Sequence, residues 1–493
     1  MLIISPIILK DTNQIKFNTI IFNLYRSMKK IIISCLTCLV YYNALANIEL
    51  PSIFGDNMVL QQKSKVAIWG KANTNKTIKI LTSWDKHTYT TTSNDIGYWK
   101  TFIQTPAAGG PYTITFNDGK TLGLHNILIG EVWVCSGQSN MEMPMKGYDN
   151  QPVLNSNEIL AEANNSSLRL FHVQRAVSNT PQNNCIGSWE VSSPETASTF
   201  SAIGFQFAKR LQAILKVPVG IIESNWGGTP IEAWMDKESL SPFTNVSVPQ
   251  PNDTAKADRL KPTCLFNGMI NPIAGYAIKG FLWYQGETNV PHPTGYDDLM
   301  KSMVEGWRKL WQQDSLSFYY VQIAPWNYGA KKDSVPYLRE AQQKAASKIS
   351  FSGMAVSIDK GNEFTIHPPD KTTISNRLLY WALGNTYHIK GIAYHSPYYE
   401  KMKTQNDTIA VSFTNTPNGF TSDHKDIVGF EIAGSDHVFR PATVKIVKNT
   451  IEVHSTNVHQ PVAIRYCFTD FIEGNLYNTE GLPVAPFRTD DWK

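Results

Sequence analysis

Between residues 127 and 392 the chain alternates apolar runs with amphipathic stretches, and this alternation restricts the fold more than any other feature. The apolar runs cover 127–136, 217–224, 278–284, 318–324 and 353–359, and they end in polar or glycine-rich residues. Helical periodicity appears at 201–215, 335–348 and 372–387. Strands that are apolar at nearly every position must be covered on both faces, so they predict a parallel sheet between two helical layers. Ligands of such sheets bind beyond the carboxyl ends of the strands. The strand tips are therefore where reactive residues are to be sought.

The flanks read differently. Residues 47–126 break into short strands at 66–69, 77–81, 87–92, 98–105 and 112–116, with Tyr112, Ile114 and Phe116 sharing one face and Gly109-Gly110-Pro111 and Asn117-Asp118-Gly119 marking turns. This predicts a small β-sandwich. Beyond 392, strand patterns return at 408–413, 427–432, 444–447, 450–454 and 462–468, with Lys448-Asn449 as a hairpin turn, and predict a β-rich module over 393–493. At 493 residues the chain has room for about three domains.

Lysines 29 and 30, an apolar run over 31–42 and small residues at Ala44 and Ala46 have the layout of a signal peptide starting at Met28 and cleaved after Ala46. Residues 1–27 have no place in such a signal and read as an upstream extension, and the apolar run is too short for a stable membrane span. The expected location is exported, periplasmic or extracellular. Five of the 45 basic residues and one of the 41 acidic residues precede position 47, leaving 40 of each. No basic excess remains to neutralise phosphates, which argues against nucleic acid as a partner. Of the six cysteines, Cys135, Cys185, Cys264 and Cys467 follow the signal. Their wide spacing matches no metal or redox motif, and leaves room for one bridge or for buried thiols. No metal or other cofactor is implied.

Three strand tips and one loop carry candidate chemistry. The run from Glu131 passes through Gly137 to Gln138, Ser139, Asn140 and Met141, presenting a hydroxyl and a backbone N–H at a turn, as either a nucleophile or an ordinary helix-capping serine would. The run ending at Ser224 delivers Asn225-Trp226-Gly227-Gly228-Thr229, where paired glycines let backbone N–H groups approach a ligand. A third delivers Trp283-Tyr284-Gln285-Gly286-Glu287, with an amide that could donate to an oxyanion and a carboxylate that could orient a histidine. His367, in Ile366-His367-Pro368-Pro369-Asp370-Lys371, lies in a loop stiffened by prolines, and His292 between Pro291 and Pro293 has a comparable setting. Local sequence does not choose between the two histidines.

Together, Gly137-Gln-Ser-Asn-Met141, Trp226-Gly-Gly-Thr229, Trp283-Tyr-Gln-Gly-Glu287 and Ile366-His-Pro368 resemble the motif blocks of the SGNH-hydrolase superfamily, and more narrowly those of the sialate O-acetylesterase family and its carbohydrate acetylesterase relatives. The resemblance extends from Pro51-Ser-Ile-Phe-Gly-Asp-Asn-Met-Val-Leu-Gln61 to Gly474-Asn-Leu-Tyr-Asn478 and Pro486-Phe-Arg-Thr489. It implies a three-layer α/β/α SGNH-hydrolase domain over 127–392, flanked by the β-rich modules. The implied function is a serine esterase that removes O-acetyl groups from carbohydrate, O-acetylated sialic acid first and acetylxylan or another glycan as the alternative.

By the same resemblance Ser139 is the nucleophile, His367 rather than His292 the base, and Gly228 and Gln285 join the Ser139 N–H as oxyanion donors. Glu287 is the expected triad acid. Many relatives keep a carboxylate just before the histidine where this chain has Phe364 and Thr365, so Asp359 and a backbone carbonyl stand in reserve. Trp226 and Trp283 could stack on a sugar ring, although aromatic residues at strand ends are core by default, and Tyr148 and Trp326 are weaker candidates. Three rival functions remain: a non-catalytic carbohydrate-binding relative, a glycosidase using Glu223 and Glu287, and a lipase or thioesterase. The oligomeric state is open.

Overall fold

The computed structural model describes residues 48–249 and 256–492. The signal-peptide reading and its cleavage after Ala46 lie outside these residues. A central sheet is built from β1 (Thr121–Gly137), β2 (Asn165–His172), β3 (Trp189–Ser192), β4 (Val219–Asn225), β5 (Gly280–Tyr284), β6 (Ser317–Val321) and β7 (Ser352–Ala355). Their spatial order is β7-β6-β5-β1-β4-β2-β3, with every neighbour parallel except the antiparallel edge strand β3. The expected parallel sheet is thus present. Two strands were not expected, β2 and β3, and Arg169 inside β2 breaks the apolar run that would have marked it.

Every residue of β4, β5 and β6 is buried, as two covering layers require. Side-chain alternation along β1 divides the core. Trp133 and Cys135 pack with Phe207, Leu211 and Leu378, on the side of α1 (Ala202–Leu215) and α4 (Lys371–Trp381). Val132 and Val134 face the opposite layer, with Met303, Trp307 and Leu338 of α2 (Tyr296–Trp311) and α3 (Val335–Lys348). Met300, Met303, Val304, Trp307 and Trp311 form the inward stripe of α2, at the spacing of successive helical turns. Helix α1 begins where Ser201 accepts from Gly204 N at 3.0 Å.

The N-terminal strands form two sheets. Lys65–Lys71 pairs with Tyr98–Gln104, and Thr77–Thr82, Thr88–Thr92 and Gly109–Asn117 make the second sheet. That second sheet is continuous with the central one. β1 pairs with Gly109–Asn117 over its first half and with β4 and β5 over its second, so the boundary expected at 126/127 falls inside one unbroken strand. After residue 392 the chain forms antiparallel sheets, including the hairpin of Thr443–Val447 with Thr450–His454 about Lys448-Asn449. The four cysteines among the described residues are free and buried. Among those residues no helix is long and apolar enough to cross a membrane.

The register places the site. Gly137 at the end of β1 lies level with Asn225 of β4 on one side and Tyr284 of β5 on the other. The segments following all three strands therefore leave the sheet at one edge.

Candidate active site

Gly137 makes the turn that presents Ser139. Its φ is +140°, and a Cβ there would lie 2.1 Å from the Tyr284 carbonyl oxygen, so only glycine lets the two strand tips approach. Gln138 then ties the tips together: its N–H donates to Tyr284 O at 2.9 Å, and its Oε1 accepts from Gly286 N at 3.3 Å. Ser139 opens the short helix Ser139–Glu142.

His367, 228 residues further along the chain, is brought to Ser139 by the loop that follows the edge strand β7. Its Nε2 lies 2.7 Å from Ser139 Oγ, and its Nδ1 lies 2.6 Å from Gln151 Oε1. Thr365 Oγ1 also donates to that amide oxygen at 2.9 Å and accepts from the His367 N–H at 3.2 Å. With an acceptor facing Nδ1, the proton of the neutral ring sits there, and the Nε2 lone pair faces the Ser139 hydroxyl. Burial, and secondarily the Lys371 ammonium, push the imidazole pKa down to about 4, so the ring is neutral over the ordinary pH range. The other candidate, His292, is exposed and has no bond to Ser139.

The expected acid is corrected by the geometry. Glu287 does not reach the His367 ring: its Oε1 accepts from Asn140 Nδ2 at 2.6 Å, and its Oε2 has no partner among the described residues. Asp359 is not an alternative, because both of its oxygens are held by Arg377 at 2.6 and 2.7 Å. A carbonyl does occupy the position, but it belongs to the Gln151 side chain and not to the backbone. Glu287 instead belongs to a buried chain of polar groups. Asn140 Nδ2 also donates to Ile366 O at 3.0 Å, and Asn140 Oδ1 accepts from Lys371 Nζ at 2.7 Å. Burial raises the Glu287 pKa and lowers that of Lys371 to about 7. This network grips the residue before His367.

Two backbone donors remain available. Among the described residues neither the Ser139 N–H nor the Gly228 N–H has an acceptor, and Gly228 is exposed in a left-handed turn with φ +67°. The Gly227 N–H, in contrast, is held by Glu142 Oε2 at 2.9 Å. Gln285 is corrected as an oxyanion donor. It is fully buried, and its two amide hydrogens go to Thr229 O at 3.0 Å and Asn289 Oδ1 at 2.8 Å, while its Oε1 accepts from Tyr296. Its place is to brace the β4 and β5 tips against each other.

Of the aromatic candidates, Trp226 is half-buried at the site under the Arg175 guanidinium, 5.4 Å from the ring centre. Trp283 is core, wedged edge-on between Trp234 and Trp307, and cannot stack on a sugar. Tyr148 stands edge-on to the His367 ring at 5.2 Å, whereas Trp326 packs edge-on against Tyr328. Glu223, the other half of the glycosidase pair, is buried against Ser201 N and His172. Among the described residues no group of three or more His, Cys, Asp or Glu is placed to hold a metal ion. A cavity of about 710 Å³ beside Trp69 and Tyr98 contains none of these residues.

Gln151 was missed in the sequence because nothing local marks it: it lies in a loop 216 residues from its partner. Asn140 and Lys371 stand inside the quoted motif strings, but their joint burial was not legible there.

Comparison with known proteins agrees with the architecture. The family model for carbohydrate esterases, sialic acid-specific acetylesterase, matches residues 129–372. The chain is 28% identical to human sialate O-acetylesterase, with 89% of this chain and 92% of that protein covered, and 25% identical to the rat enzyme, with 89% and 94% covered. A crystal structure of a carbohydrate acetylesterase from Xanthomonas citri superposes with a TM-score of 0.82 at 34% identity, over 90% of this chain and all of that one. The chain belongs to the carbohydrate esterase family of sialic acid-specific acetylesterases, which are carboxylic ester hydrolases.

Proposed function

We propose that the protein removes O-acetyl groups from carbohydrate, O-acetylated sialic acid first, with Ser139 as nucleophile and His367 as general base and acid. The observation that supports this most is the 2.7 Å contact between Ser139 Oγ and a histidine nitrogen left free to accept by the Gln151 carbonyl. The relatives named for sialate O-acetyl esters supply the substrate.

In this mechanism His367 Nε2 takes the Ser139 proton as Oγ attacks the acetyl carbonyl. The developing oxyanion meets the N–H groups of Ser139 and Gly228. Collapse breaks the bond to the sugar oxygen, which leaves with the proton from Nε2. Water then adds to the acetyl-enzyme with the same histidine as base, and acetate departs. A neutral amide at Nδ1 orients the ring without the charge that would stabilise imidazolium. His367 is thereby a weaker base but a stronger acid, suited to protonating a sugar alkoxide.

Acetate release from 9-O-acetylated sialic acid, set against acetylxylan, tests the substrate. Hydrolysis of acetylxylan alone would reassign it to another glycan, and sugar release without acetate would point to a glycosidase. We further propose export through the 28–46 signal, on the strength of its charge, apolar run and small residues. N-terminal sequencing of the exported protein is expected to begin at Asn47, and retention of residues 1–27 would refute this.

A further inference from the structure

Beside Ser139 a cleft of about 430 Å³ is walled by Glu142, Tyr148, His172, Gln174, Arg175 and Glu223, a size that suits a small ligand. Glu142 links it to the reacting group. It lies one helical turn after Ser139, and its Oε2 accepts from Tyr148, whose hydroxyl also reaches Ser139 O at 3.3 Å, and from Gly227 N. A Cβ on Gly227 would lie 3.0 Å from that Glu142 oxygen and 3.1 Å from Ser139 Cβ, so cleft and nucleophile flank a single point.

Glu142 Oε1 takes one edge of Arg175, from Nε at 2.8 Å and Nη2 at 2.5 Å. The outer edge, Nη1 with the second Nη2 hydrogen, has no acceptor among the described residues, and the side chain is 51% exposed. Trp226 beneath the guanidinium fixes its plane. We propose that this outer edge of Arg175 binds the carboxylate of the acetylated sugar, so that the cleft selects sialic acid over neutral esters. The proposal rests on the sialic acid reading above and names the contact that enforces it.

The arrangement fits a carboxylate for three reasons. A guanidinium edge presents two parallel N–H groups at the spacing of two carboxylate oxygens. Its other edge is anchored to Glu142, so little side-chain freedom is lost on binding. Half-exposed His172 lines the same cleft, and its bond to buried Glu223 raises its pKa, which favours the cationic form. A neutral sugar would leave the fork facing water. Charge-assisted hydrogen bonds of this kind are worth about 10- to 100-fold in affinity.

The test compares kcat/KM for 9-O-acetylated sialic acid as the free acid and as its carboxyl methyl ester, which keeps the reacting acetyl and removes the charge. The native enzyme is expected to prefer the acid by about 10- to 100-fold, mainly through KM. Arg175→Gln should bring that ratio close to one, and Arg175→Lys should give an intermediate ratio. Equal kcat/KM for acid and ester in the native enzyme, or a preference that survives Arg175→Gln, overturns the contact and leaves the esterase reading standing. Acetate released from neither form, with acetylxylan still hydrolysed, overturns the sialic acid reading and this contact with it.

Discussion

His367 Nδ1 is bonded to Gln151 Oε1 at 2.6 Å, where a carboxylate was expected. Gln151→Ala should therefore lower kcat by about 10- to 100-fold, the cost of one lost orienting hydrogen bond. Gln151→Glu should retain activity and raise the histidine pKa, since an anion favours imidazolium. Glu287→Gln should have a smaller effect on kcat than Gln151→Ala, because Glu287 meets Asn140 and not the ring. Steady-state kinetics on 4-nitrophenyl acetate would decide, and a loss confined to Glu287→Gln would restore that residue to the triad.

Ser139→Ala should abolish acetate release with an unchanged thermal midpoint, because only a hydroxyl is removed and the turn is held by backbone bonds of Gln138 and Gly137. His367→Ala should be nearly as severe and the double variant no worse, as expected of two groups that act as one unit. Normal turnover by either single variant would contradict the mechanism.

The pH dependence follows from the depressed imidazole. Below a pKa of about 4 the ring is protonated and cannot accept the Ser139 proton, so kcat/KM should fall on the acid side near that value and stay level toward neutrality. Burial holds the value down, and the Lys371 ammonium adds to it. Its removal in Lys371→Met should move the acid limb to higher pH. A limb near pH 6.5 in the native enzyme would show that the ring is not desolvated as described.

Gln285→Ala should act on stability more than on chemistry. The variant leaves the buried Thr229 O without its donor, whereas Asn289 Oδ1 keeps the Ile231 N–H and the Tyr296 hydroxyl keeps the Gln285 backbone carbonyl, so the cost is on the order of 2 kcal/mol, readable as a lower urea midpoint. A kcat loss of two orders of magnitude with an unchanged midpoint would return Gln285 to the oxyanion site.

The sequence by itself determined the layered architecture and the edge at which the reactive segments gather. Apolar strand runs, helical stripes such as that of residues 201–215, and the glycines at 137 and 228 act over a dozen residues or fewer, so their meaning is local. Burial depth and partner choice are not local. Gln285 belongs to a strand tip whose polar residues pointed to the crevice, yet α2 and the segment after β4 close over it. Only the tertiary structure brought the loop of Gln151 against His367, and only packing enclosed Asn140, Glu287 and Lys371 together. A hydrogen bond between residues 216 apart depends on the position of every layer between them, and no spacing within either segment encodes it.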